Sequence, residues 1–275
     1  TDDILVNIPY APGCGMWFDH HTSEDARGVM HQYKYVGASW PAPSCARVIY
    51  EYYGGAKGRL ARFDGMVADA DKCDSAHFSR EEVLDPQGMV LLSFIMDPRT
   101  GFGRYRDFRI SNYQLMDCLI DHLLVMPVDE IMQLEDLQER VRLYEAHREP
   151  FERMMKDHSR TEGAAVVTDL RGIDETFVGN RHIIYALYPD QNVSVRVFDG
   201  REGKNCVFSV GYSILNRTAT VDVGKLMLKY GGGGHRRVGT CQVPFEDADR
   251  VLSEILEEIN SQNWQMLNIA GLEEF

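Results

Sequence analysis

A long charged stretch divides this chain into two differently patterned halves. Across residues 128–158, beyond the break at Pro127, the apolar residues Ile131, Leu134, Leu137, Val141, Tyr144, Phe151 and Met155 fall on or near one helical stripe among charged neighbours. A helix of this kind between regions of unlike periodicity predicts an interdomain connector. Before it, short apolar runs alternate with helical ones. Strands are expected at 3–10 and 15–18, and helices at 44–53, 60–73 and 112–124. Ser44 is a plausible N-cap, and Gly54-Gly55 ends the first helix. After Thr161 the spacing turns to short β-rich runs at 164–168, 183–187, 193–198 and 206–210, with Asp199-Gly200 as a hairpin signal. A helix at 223–230, four glycines, a strand at 238–243 and an amphipathic helix at 247–260 complete the pattern.

The fold class read from this is α/β in both halves. A first domain at 1–127 would carry a mostly parallel sheet. A linker helix would follow at 128–160, then a smaller α/β domain with a mixed sheet at 161–275. With 275 residues the chain is long enough for two cores. Its net charge of −13 disfavours coating duplex nucleic acid, which calls for a basic face. Any phosphate binding must therefore be local, although acidity also serves solubility alone. The six cysteines, Cys14, Cys45, Cys73, Cys118, Cys206 and Cys241, show no C-x-x-C pair or zinc spacing and suggest a reducing cytoplasm. No apolar run reaches the ~18 residues of a membrane span.

Three clusters carry chemistry. Asp19-His20-His21 ends an apolar strand, where open α/β sheets bind ligands. Carboxylate and imidazole there suit ions taken by mixed N/O sites; a solvated polar turn is the bland alternative. Asp71 and Asp74, three residues apart, share one helical face, and that pair also reads as a solvated face or a cap. Gly231-Gly232-Gly233-Gly234-His235-Arg236-Arg237 combines a freely bending backbone with three donor side chains. That combination suits an anion better than a mere flexible turn does.

The pair Phe18-Asp19-His20-His21 and Gly231-Gly232-Gly233-Gly234-His235, in that order and joined by a long helix, resembles the DHH phosphoesterases with their DHH-associated C-terminal domain. Asn7-Ile8-Pro9-Tyr10, Pro12-Gly13-Cys14 and Gly239-Thr240-Cys241-Gln242 place the resemblance closest to the exopolyphosphatase-related branch. It implies a two-metal site, usually manganese, with Mg2+ or Co2+ as alternatives. Asp19, His20 and His21 would be the catalytic triplet. Asp19, His20 and Asp74 would serve as ligands, with Asp71 as second choice to Asp74. Gly232, Gly233, Gly234, His235 and Arg236 would bind substrate, and Ser213 and Arg217 loosely match polar substrate-facing positions.

The family's Asp-x-Asp-Gly motif belongs a few tens of residues before the triplet, where this chain has too few. Arg62-Phe63-Asp64-Gly65 echoes it in the wrong order. Asn7 stands where a bridging aspartate is expected, with Asp2 and Asp3 nearby. The abrupt start, Thr1-Asp2-Asp3 into an apolar strand, leads to the expectation that an N-terminal segment lies outside this sequence.

The resemblance implies metal-dependent hydrolysis of phosphodiester or phosphoanhydride bonds in a small substrate: short oligoribonucleotides, linear or cyclic dinucleotides, or phosphorylated adenosine nucleotides. Exopolyphosphatase activity is the alternative among enzymes, and a non-catalytic nucleotide-binding regulatory module the alternative of another class. The expected partners are a small phosphorylated substrate or short single-stranded RNA, with no duplex and no membrane, and a homodimer by analogy.

Overall fold

The computed structural model describes residues 2–21, 34–173, 177–200 and 203–270, with side chains through 262. The chain divides into two compact units, Thr1–Phe78 and Ser79–Phe275.

The first unit is built on three short parallel strands in the order β1 (Ile4–Val6), β2 (Met16–Asp19), β3 (Gly37–Ser39). Val6 sits opposite Phe18, and Asp19 opposite Ser39, so all three strands end on one edge. Helix α1 (Cys45–Tyr52) covers the sheet, burying Cys45 and Val48 against Phe18. Its N-cap is Ser44, whose hydroxyl accepts from the Arg47 amide. The expected helix at 60–73 is instead a 3-10 turn at Ala61–Phe63 followed by α2 (Asp64–Asp74).

In the second unit, α3 (Arg80–Leu84), α4 (Gly88–Met96), α5 (Asn112–Val125) and α6 (Val128–Ile131) precede the long α7 (Glu135–Asp157). The expected single helix at 128–158 is thus broken, because Leu134 is extended (φ −61°, ψ 132°) and restarts the helix as the N-cap residue of α7. Charge is buried at the start of α7. Arg140, fully buried, donates to the carbonyls of Asp136 and Ile110 and to the Asn112 side chain, anchoring α5 to α7.

The sheet that follows has six strands in the order β4 (Ser159–Glu162), β5 (Ala165–Asp169), β6 (Val193–Asp199), β7 (Cys206–Tyr212), β9 (Val238–Val243), β8 (Gly233–His235). Only β5–β6 is parallel. The run at 183–187, expected as a strand, is the short helix α8 (Ile183–Leu187). Ile183, Ile184, Tyr185 and Ala186 are all buried, and a short apolar run buried on every side has no period by which to tell helix from strand. Helix α9 (Val223–Leu228) and helix α10 (Ala248–Ala270) close one sheet face. Val193, Val195 and Val197 of β6, Phe208 and Val210 of β7, and Cys241 and Val243 of β9 point into this core, meeting Leu226, Val251, Ile255 and Ile259.

The four glycines are not an open loop. Gly231 and Gly232 turn the chain out of α9, donating to Leu228 and Met227 carbonyls, and Gly233 and Gly234 already belong to β8. The reason is close packing. A Cβ on Gly232 would lie 2.0 Å from the Thr240 carbonyl oxygen, and one on Gly224 in α9 would lie 2.8 Å from the Gly234 oxygen. Gly232→Ala should therefore destabilise the second unit by about 1–3 kcal/mol through overpacking, read as a lowered Tm. An unchanged Tm would mean the hairpin can open at no cost.

Candidate active site

The three parallel strands deliver their last residues to one place. Asn7 follows β1 with a left-handed backbone (φ 59°), tolerable for Asn, and donates its amide to the Phe18 carbonyl at 3.0 Å. Asp19 ends β2 and is 1% exposed. Its carboxylate accepts twice from His21, from the backbone amide at 3.2 Å and from Nδ1 at 2.8 Å. A buried carboxylate must be satisfied by donors, and Asp19 uses them to fix the His21 ring.

His20 is held from the other side. Its Nδ1 lies 3.0 Å from the Ala42 carbonyl oxygen. A carbonyl only accepts, so Nδ1 carries the hydrogen and Nε2 is the lone-pair nitrogen of the neutral ring. That Nε2 lies 3.3 Å from Oδ2 of Asp74, at the last turn of α2. A lone pair and a carboxylate oxygen this close need a proton or a cation between them. The His20 and His21 rings sit side by side, centroids 4.4 Å apart.

Asp71 and Asp74 part company. Asp71 accepts from Ser44 Oγ at 2.7 Å and from Arg47 at 2.9 Å (Nε) and 2.7 Å (Nη2). These bonds tie α2 to the start of α1 and hold the Arg47 guanidinium above its ordinary pKa. Asp74 is 44% exposed and turned to His20. Nearby Cys45, which donates to the Phe18 carbonyl at 3.3 Å, is pushed up to about 11 by burial. Asp64, in the Arg62-Phe63-Asp64-Gly65 echo, begins α2.

His20 and Asp74 have the chemistry of a mixed N/O ion site, and the Ala42 carbonyl orients the His20 ring from behind, as a hydrogen-bond partner does for a histidine that holds an ion. Among the described residues no group of three or more His, Cys, Asp or Glu side chains is gathered for an ion. The fit is therefore to a pair of donors, not a closed set.

In the second unit, His235 ends β8, while Arg236 and Arg237 form its tight turn into β9. All three are exposed. The Arg236 carbonyl accepts from Val223 and that of Arg237 from Tyr212, which fixes the hairpin. Ser213 is buried, and its hydroxyl accepts from the Leu215 and Asn216 amides at 3.2 and 2.9 Å, so it shapes the turn after β7. Arg217 is exposed, its Nε donating to the Ile214 carbonyl. The Tyr212 hydroxyl donates to Val221, and its ring packs on the core. No helix among the described residues is long and apolar enough to cross a membrane.

Geometry separates the roles of the two acids. Asp71→Asn should cost about 1–2 kcal/mol of stability by weakening a charge-assisted pair and leave the His20–Asp74 pair intact. Asp74→Asn should leave Tm nearly unchanged, as for other exposed sites, and, if the His20–Asp74 pair takes an ion, lower the uptake of Mn2+. Calorimetry and metal titration of both variants check this, and the reverse pattern would exchange the roles.

No protein-family model and no curated protein matches the chain. Solved structures do. A pGpG-specific phosphodiesterase, PggH from Vibrio cholerae, is 44% identical with a TM-score of 0.78, over 94% of this chain and 84% of that one. An exopolyphosphatase-related protein from Bacteroides fragilis shares the fold at 13% identity and a TM-score of 0.50, over 94% of this chain and 72% of that one. With the Asp19-His20-His21 edge and the glycine hairpin in place, the chain belongs to the DHH superfamily of phosphoesterases and is a phosphohydrolase.

Proposed function

We propose that this protein is a metal-dependent phosphodiesterase acting on a short linear dinucleotide of the pGpG kind. The observation that carries the metal dependence is His20 Nε2, its tautomer fixed from behind, meeting the Asp74 carboxylate at 3.3 Å. The substrate class is supported by 44% identity to a pGpG-specific phosphodiesterase across nearly the whole chain. A short substrate also suits a protein of net charge −13, which gains nothing from a long polyanion.

His20 and Asp74 would hold a divalent ion, Mn2+ first and Mg2+ or Co2+ as alternatives. Such an ion supplies Lewis-acid charge neutralisation at phosphate and acidifies a bound water. The chain's own residues do the rest. Asp19 keeps the proton on His21 Nδ1, so His21 Nε2 is the ring atom able to take a proton from an attacking water or return one to the leaving oxygen. The buried Asp19 carboxylate offsets the charge that the ring gains in doing so. In the second unit, His235 and Arg236, exposed at the hairpin, offer donors for phosphate oxygens.

Labelled pGpG and polyphosphate, each assayed with and without added Mn2+, test the reading. Metal-dependent cleavage of pGpG is expected, and His20→Ala should lower it by more than the ~10–100-fold typical of losing an outer-shell partner. Chelation should abolish it. Cleavage of polyphosphate alone would make the protein an exopolyphosphatase, and tight binding of pGpG without cleavage would make it a sensor.

A further inference from the structure

Helix α5 (Asn112–Val125) carries apolar residues on two adjoining faces. Leu115 and Leu119 are buried in the core, and Leu123 packs partly against it. Beside them runs a second row, Tyr113, Met116, Ile120 and Leu124, at the three- and four-residue spacing that keeps side chains on one side of a helix. That row faces away from the core: Tyr113 is 81% exposed, Met116 47%, Ile120 65% and Leu124 51%. No charged side chain interrupts it, while the exposed Asp117 and Asp121 line its outer edge.

The helix that presents this row is held firmly. The Ser111 hydroxyl accepts from the Gln114 amide, and the Gln114 side chain accepts in return from the Ser111 amide. Arg140 grips Asn112 at the first turn. Little ordering entropy is therefore lost when a partner docks. The row offers roughly 400–500 Å² of apolar surface. An interface at the lower end of the standard size takes about 600 Å² from each partner, about 65% of it apolar between identical chains, or about 400 Å². The row is thus large enough to form the core of a two-fold contact, with Asp117 and Asp121 left at a wet rim. A helix that lies on a membrane carries Lys or Arg on its polar face. This one has neither, and its acids oppose anionic headgroups.

We infer that the exposed row of α5 is the contact between two copies of this chain. The arrangement is isologous: the same patch serves both copies, and each row buries the other. Two molecules of net charge −13 repel each other. Apolar burial must therefore drive the association, and screening by salt must favour it. The inference is independent of the substrate proposed above.

Sedimentation equilibrium of the full chain tests it. At micromolar concentration the wild type is expected to be largely dimeric, and more so as salt is raised. Ile120→Glu and Tyr113→Glu should each weaken the association by about 100-fold or more, since each places a carboxylate without a counter-ion in the contact. Both positions are exposed in the single chain, so the far-UV circular dichroism of each variant should match that of the wild type. Cys118→Glu puts the same charge on the far side of the helix, at an exposed position, and should leave the dimer intact. A wild type that stays monomeric overturns the contact. So does a dimer that survives both substitutions in the row, or one that dissociates as salt rises, since ion pairs would then be holding it. A monomer that sediments with vesicles of phosphatidylcholine and phosphatidylglycerol, and no longer does so as Ile120→Glu, overturns it in favour of a lipid surface.

Discussion

One backbone carbonyl sets the chemistry of the first unit. By accepting from His20 Nδ1 at 3.0 Å, the Ala42 oxygen turns an ambidextrous ring into one with a defined lone-pair nitrogen, directed at the Asp74 carboxylate. The geometry depends on what positions Ala42. Ala42 follows β3 by three residues and precedes the Ser44 cap of α1, and the Asp71 bonds to Ser44 and Arg47 hold that cap against α2. Thus α2 contributes one acid to structure and, one turn later, another to the site. The buried Asp19 carboxylate performs the matching task for His21.

The second unit solves a different problem. Its sheet has one face closed by an apolar core and another paved with Ser194, Ser209, Thr240 and glycines. The glycine run lets β8 fold back flush on β9 while α9 packs against it through Gly224. The same close packing leaves His235, Arg236 and Arg237 exposed at the hairpin. An interior built for tight backbone contact and a surface built of donors come from one short stretch of sequence.

Burial of unpaired charge at Arg196 runs against folding, and the contrast with Arg140 is instructive. Arg140 is fully buried yet bonds carbonyls and the Asn112 side chain, so its charge is compensated and its role is to join α5 to α7. Arg196 lacks such partners among the described residues.

Much of the fold was legible in the residues. Strong periodicity marked α1, α5, β6, β7 and the final helix, and the cap at Ser44 fell where its hydroxyl and spacing required. The Asp19-His20-His21 triplet and the glycine run marked the superfamily because their residue types are rare in that order. Misreadings came where local pattern carries no period. The run at 183–187 is apolar throughout and became helix, the break at 132–134 lacks a Gly or Pro to announce it, and β8 is glycine-rich and has no strand propensity of its own. Spacing alone could not choose between Asp71 and Asp74, since both lie on one face of α2; the choice required Arg47 and Ser44 to claim one of them. Nothing in the sequence marked the cross-strand rows that set Arg196, Ser209 and Thr240 on one face, because strand register is decided only when the strands pair. Sequence by itself determined which side chains were available and in what local order. Tertiary structure decided which were already engaged, because hydrogen-bond partners far apart along the chain are assigned only when the strands and helices meet.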